Sequence, residues 1–211
     1  VYDIAQLLHQ THMSPVTIVG HSLGGSIALL YTALYPDKVT KLVSIEGMGP
    51  PPAMMGGLLN QPLADRLHTW IDGLRTSSGR VVRRYGTLEE AFHRMRTENP
   101  HLSEEQAQHL TIHGSNQNED GTYSWKFDNY VRTFAPTGIS LEEQWAMFER
   151  ITCPTLLIRG LESWASDPDE DGRMDTFKCP LEVEAFADAG HWVHHDQLQP
   201  FVARLSRFLQ A

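Results

Sequence analysis

The segment VTIVGHSLGGSIALLYTALYP, from Val16 to Pro36, limits what this chain can fold into more than any other stretch. A β-branched apolar run ends at Gly20, a lone serine stands among small residues, and an alanine- and leucine-rich helical pattern follows until Pro36. Gly20-His21-Ser22-Leu23-Gly24 fits G-x-S-x-G between a predicted strand and a predicted helix. A sharp strand-to-helix corner forces its middle residue into strained backbone geometry, and the flanking glycines remove Cβ atoms that would clash there. The Ser22 hydroxyl then projects at a helix N-terminus, whose dipole favours negative charge, and the Leu23 backbone N–H is placed to donate to an oxyanion. The plain alternative is a tight turn in which Ser22 only caps the helix.

Further strands read from KVTKLVSIEG, PTLLIRG and LEVEAFADAG, with a closing amphipathic helix in DQLQPFVARLSRFLQ and an opening one in DIAQLLHQTH. Strands alternating with helices predict an α/β fold with a mostly parallel sheet. Between about Leu58 and Phe148 the texture changes: helical patches such as LADRLHTWIDGL, LEEAFHRMR and SEEQAQHL alternate with polar loops, and GTYSWKFDNYVR reads as a short strand. The expected organisation is a core of residues 1–51 and 140–211 around a helical insertion of residues 52–139.

Composition narrows the function. A net charge of -9 on 211 residues repels phosphates and argues against a nucleic-acid partner. No apolar run reaches membrane-spanning length and no signal peptide opens the chain, so the expected setting is cytoplasmic. Cys153 and Cys179 are too few for a disulfide framework and do not form a Cys-x-x-Cys pair.

A serine needs a base to take its proton. Of the 11 histidines, His191 is the best candidate, because ADAGHWVHHDQ follows the last predicted strand, where the base comes in the order Ser…acid…His. His194 and His195 make an H-x-x-H-H string with His191, but the interleaved glutamate of the zinc-protease helices is missing, and no metal is expected. His21 reads as a packed or hydrogen-bonded neighbour of the nucleophile. Asp167, Asp169, Asp171 and Gly172 match the first half of a calcium loop, yet the position of the bidentate glutamate is Lys178, so a solvated acidic loop is the better reading.

The landmarks TIVGHSLGGSIALLYTALYPDKVTKLVSIEG, CPTLLIRG and AGHWVHHDQLQPF, in that order, resemble the α/β-hydrolase superfamily. The resemblance implies a sheet of that type, a helical cap as the insertion, and no cofactor. It also implies strands ahead of the nucleophile strand, one loop of which supplies a second oxyanion donor. This chain begins in the helix before VTIVG, so it reads as part of a longer protein, one that would fold poorly or be inactive alone. The acid departs from the usual pattern. Many members carry Asp three residues after the glycine ending the PTLLIRG strand, and here that residue is Ser163. Two replacements stand: Asp167 on the same loop, or Glu46 at the end of the strand after the nucleophile, the position used by haloalkane dehalogenases. Glu46 is preferred.

Serine rather than aspartate at the elbow argues against epoxide or haloalkane chemistry and for acyl transfer to water. Hydrolysis of small hydrophobic carboxylic esters leads. Carbon–carbon bond hydrolysis by the same residues, or a catalytically weak ligand-binding protein, stand as alternatives. Pocket candidates are His21, Met48, Trp164 and Trp192, with Met54, Met55, Trp70, Trp125 and Trp145 behind them.

Overall fold

In chain order the elements are α1 (Tyr2–Thr11), β1 (Val16–His21), α2 (Leu23–Leu34), β2 (Val39–Ile45), α3 (Leu63–Ser78), α4 (Leu88–Glu98), α5 (Glu104–Gly114), β3 (Ser115–Gln117), β4 (Tyr123–Trp125), α6 (Leu141–Phe148), β5 (Thr155–Gly160), β6 (Leu181–Phe186), α7 (Val193–Asp196) and α8 (Leu198–Gln210). They come from a computed structural model that describes residues 1–49, 57, 61–78, 82–128, 138–165, 167–170 and 172–211. The described residues divide into two units, Val1–Gly57 with Ile139–Ala211, and Leu58–Gly138.

The first unit holds a four-stranded sheet in the order β1-β2-β5-β6, every neighbouring pair parallel. The four strands expected from VTIVG, KVTKLVSIEG, PTLLIRG and LEVEAFADAG are in it, and the α/β class with a mostly parallel sheet holds. The two central strands carry the buried apolar runs Leu42-Val43 with Ile45, and Leu156-Leu157-Ile158, because helices cover both faces. Register sorts their side chains: Leu42 and Leu157 join one apolar cluster with Leu8 of α1, Ala28 and Leu29 of α2, and Phe148 of α6. Val43, Ile45, Leu156 and Ile158 join the other, with Phe201 and Phe208 of α8.

Glycines set how closely β1 and α2 meet. A Cβ on Gly20 would lie 2.4 Å from the Gly24 carbonyl oxygen, and one on Gly25 would lie 2.8 Å from the Gly47 Cα. A Cβ on Gly24 would meet nothing within 4 Å among the described residues. The steric demand at the corner therefore falls on Gly20 and Gly25, not on Gly24 as the motif suggests.

In the second unit, α4 and α5 begin where side chains cap them: Thr87 accepts from the Glu90 N–H, and Ser103 and Gln106 form a reciprocal capping box. The strand expected around Tyr123 is short, pairs antiparallel with β3, and runs only from Tyr123 to Trp125. The rest of GTYSWKFDNYVR past Asp128 lies outside the described residues. Among the described residues no helix is long and apolar enough to cross a membrane.

Candidate active site

Ser22 lies between the last residue of β1 and the first of α2, with φ 53° and ψ −121°. A left-handed φ is costly for a side chain larger than hydrogen, so it persists only where neighbours over-determine it. They do so here: the Ser22 N–H donates to the Ile45 carbonyl at 2.8 Å, its carbonyl accepts from the Ser26 N–H at 3.0 Å, and the Ser26 hydroxyl donates to Gly47 O at 2.6 Å. The Ser22 side chain makes no capping hydrogen bond to α2. Its Oγ lies instead 2.8 Å from His191 Nε2.

His191 occupies the loop between β6 and α7. Its Nδ1 lies 3.1 Å from Glu46 Oε2. A carboxylate only accepts, so Nδ1 carries the ring proton and donates; Nε2 is left with a lone pair, and Ser22 donates its hydroxyl proton to it. The loop is held by Asp196, whose carboxylate accepts from the Gly190 N–H at 2.9 Å, and by His21, whose Nε2–H donates to the His191 carbonyl at 2.8 Å.

Glu46 follows β2 directly, with φ 52° and a side chain 0% exposed. Its N–H continues the β2–β5 ladder onto the Ile158 carbonyl at 2.8 Å. Oε1 accepts from the Gly160 N–H at 2.7 Å and Oε2 accepts from the Ser163 hydroxyl at 2.5 Å. With His191 Nδ1–H this gives the buried carboxylate three donors. Asp167, the other acid considered, is ion-paired with Arg159.

Three further histidines cluster near the His191 ring. The His21 ring lies 4.9 Å from His191 and 4.7 Å from His194, and His194 lies 4.4 Å from His195. Burial is the chief cause that lowers His21, and burial followed by the neighbouring histidines lowers His194 to about 4. A cation at His194 would be desolvated beside other imidazoles. Both ring nitrogens of His191 are occupied by Ser22 and Glu46, so the H-x-x-H-H string does not present three open ligands. Among the described residues no group of three or more His, Cys, Asp or Glu is arranged to hold a metal. In the acidic loop, Asp171 lies outside the described residues.

The pocket candidates scatter. Trp164, 61% exposed, lies with its ring 5.1 Å from that of His191 and tilted 36° to it, and Leu23, 64% exposed, follows Ser22. Met48 lines a cleft beside Glu46 together with Arg159 and Ala165, and its carbonyl accepts from buried Arg173. The Trp192 ring lies 5.4 Å from that of His195. Trp125 donates to the Tyr85 hydroxyl within the second unit, and Met54 and Met55 lie outside the described residues. Sequence reasoning passed over Ser163, Gly160 and Asp196 as parts of this site. Only Ser163 carried a signal, its place where an acid is usual, and its lack of charge hid that it can still donate.

A family model described as alpha/beta hydrolase fold matches residues 1–198. The chain is 22% identical over 212 residues to the sn-1-specific diacylglycerol lipase ABHD11 of Danio rerio, an alignment covering 99% of this chain and 61% of that protein. It thus spans about three fifths of that curated relative's length. Two solved structures share its fold. The hypothetical protein PA1622 from Pseudomonas aeruginosa PAO1 has a TM-score of 0.84 at 20% identity, over 100% of this chain and 72% of that one. The thioesterase domain from the curacin biosynthetic pathway has a TM-score of 0.79 at 25% identity, over 99% and 71%.

Proposed function

We propose, for a chain that belongs to the alpha/beta hydrolase fold family, that Ser22, His191 and Glu46 act as nucleophile, base and acid in the hydrolysis of carboxylic esters of small hydrophobic substrates. The observation that carries this reading is the unbroken hydrogen-bonded run from Ser22 Oγ through the His191 ring to Glu46 Oε2, at 2.8 Å and 3.1 Å. Ser22 Oγ attacks the ester carbonyl while His191 Nε2 takes its proton, and Glu46 stabilises the imidazolium that forms. The Leu23 N–H, first in α2 and without an intrahelical acceptor, receives the oxyanion. His191 then protonates the departing alcohol and activates water against the acyl-enzyme.

Two exposed apolar groups, Leu23 next to Ser22 in the chain and Trp164 beside the His191 ring, support an apolar acyl or alkyl group in the substrate. The relatives named as a lipase and a thioesterase point the same way, toward acyl transfer. In this reading the unit Leu58–Gly138, inserted in the chain between β2 and β5, is the cap of the family. No step needs a metal or organic cofactor.

Treating the chain with a fluorophosphonate and measuring intact mass, beside Ser22→Ala, tests the proposal. A single adduct that disappears in the variant is expected. A folded protein that takes no adduct overturns the reading and gives the lead to a ligand-binding role.

A further inference from the structure

We propose that Ser163 is a positioning residue of this triad, holding Glu46 Oε2 toward His191 with a hydroxyl where a carboxylate would otherwise be expected. The inference rests on the serine-hydrolase reading above. Its starting point is the direction of one proton. The Ser163 Oγ accepts from the Ala165 N–H at 3.2 Å and lies 2.5 Å from Glu46 Oε2. A hydroxyl has one proton and an ionised carboxylate has none to give, so with one lone pair taken by Ala165 the proton points at Glu46. The 2.5 Å separation is that of an O–H donating to an anion.

The place of Ser163 is fixed by the loop it stands on. Its own N–H donates to the Gly160 carbonyl at 3.2 Å, closing a tight turn off the end of β5, and the Glu162 N–H donates to the Ala189 carbonyl at 2.9 Å, two residues before His191. The turn that carries Ser163 is therefore pinned both to the strand beside Glu46 and to the loop carrying the base. Glu46 needs such a clamp. Its side chain has one more rotatable bond than an aspartate, and it reaches His191 from a neighbouring strand. The Gly160 N–H holds Oε1 and the Ser163 hydroxyl holds Oε2, so the carboxylate plane is set at both oxygens. Without the hydroxyl, Oε2 keeps only His191 Nδ1, and the carboxylate can turn about its Oε1 contact away from the line to the imidazole.

The test compares the rate of Ser22 modification by a fluorophosphonate, followed by intact mass, in the wild type, Ser163→Ala, Ser163→Thr, Glu46→Gln and Glu46→Gln/Ser163→Ala. Thermal melting of each accompanies it. Ser163→Ala is expected to slow modification by about 10- to 100-fold, the range for loss of a hydrogen bond to a charged group. Ser163→Thr, which keeps a hydroxyl, is expected to stay near the wild-type rate. In the Glu46→Gln background Ser163→Ala is expected to remove nothing more, because its effect passes through the carboxylate. If Ser163→Ala melts early, Ser163→Cys, near in size and a weak donor, takes its place with the same expectation. A Ser163→Ala rate equal to wild type, or a full further loss in the Glu46→Gln background, overturns the role of Ser163 while leaving Ser22 reactive. A folded wild type that resists the phosphonate overturns the serine-hydrolase reading, and this proposal with it.

Discussion

Replacing Glu46 by glutamine changes one atom in a fully buried side chain and is expected to remove most of the activation of Ser22. The carboxylate faces three donors: Gly160 N–H at 2.7 Å, Ser163 O–H at 2.5 Å and His191 Nδ1–H at 3.1 Å. An amide offers one acceptor oxygen and an NH₂. The Gly160 N–H belongs to the backbone and cannot turn away, so the amide oxygen takes that contact and the NH₂ faces Ser163 and His191. The imidazole answers by moving its proton to Nε2, which turns an N–H toward Ser22 where a lone pair is needed. The wrong tautomer and the missing negative charge together are expected to lower kcat, and the phosphonate-labelling rate, by about 10⁴, or about 5.5 kcal/mol of transition-state stabilisation. Asp167→Asn is the matched control. It weakens the ion pair with Arg159, whose side chains are 14% and 31% exposed. It is expected to lower stability by about 1–3 kcal/mol while leaving labelling within about threefold. The assay is labelling of Ser22 by intact mass over time, with thermal melting beside it. A Glu46→Gln rate within tenfold of wild type, or an Asp167→Asn rate that falls as far, refutes the assignment of the acid.

Other consequences are open to direct measurement. His194 is lowered from 6.5 to about 4 in the folded chain, so as pH falls the unfolded state takes up its proton first. The stability tied to His194 is present above about pH 6.5 and lost toward pH 4, about 2 kcal/mol after discounting for solvent screening. His194→Gln is expected to flatten the fall of melting temperature across that window, and parallel curves would count against it. Gly25→Ala forces a Cβ to within 2.8 Å of the Gly47 Cα and is expected to cost at least about 1–3 kcal/mol. Gly24→Ala meets nothing within 4 Å among the described residues and is expected to be neutral or to stabilise α2 by up to about 1 kcal/mol, so equal melting temperatures for the two variants contradict the close α2–Gly47 approach. Trp164→Ala is expected to lower kcat/KM for benzyl esters about tenfold more than for methyl esters of the same acid, because in the proposed reaction the alcohol departs beside His191, whose ring the indole adjoins. An unchanged ratio removes Trp164 from the substrate's path.

Physical reasons divide what the sequence made legible from what it did not. The central strands could be read because burial on both faces leaves short apolar runs in them, Leu42-Val43 with Ile45 and Leu156-Leu157-Ile158, that a surface loop would not carry. Ser22 could be read because its corner needs a strand, a small residue and a helix in immediate succession, all of them local. The acid was harder. Glu46 and Asp167 are separated along the chain from each other and from His191, and nothing local says which faces the imidazole. The β2–β5 ladder is what brings Glu46 there: Ile45 pairs with Ile158, the Glu46 N–H reaches the Ile158 carbonyl, and the Glu46 carboxylate then meets the Gly160 N–H, which supports the proposal of Glu46 as the acid. Asp167 meets Arg159 instead.

Ser163 shows a different kind of loss. Reading the position by charge alone dismissed it, because a serine cannot neutralise an imidazolium. Its chemistry is relational: a hydroxyl beside solvent does little, whereas the same hydroxyl, here donating to a buried carboxylate at 2.5 Å, is placed to hold that carboxylate. The glycines teach the converse. Gly20, Gly24 and Gly25 are alike in sequence, yet Gly20 and Gly25 each have backbone atoms where a methyl would go, and Gly24 has none among the described residues. Residue type and spacing announce that a tight corner exists. Which atoms crowd it, and which oxygen a proton points to, is set by strands and loops that are distant in the chain, so it enters only with the fold.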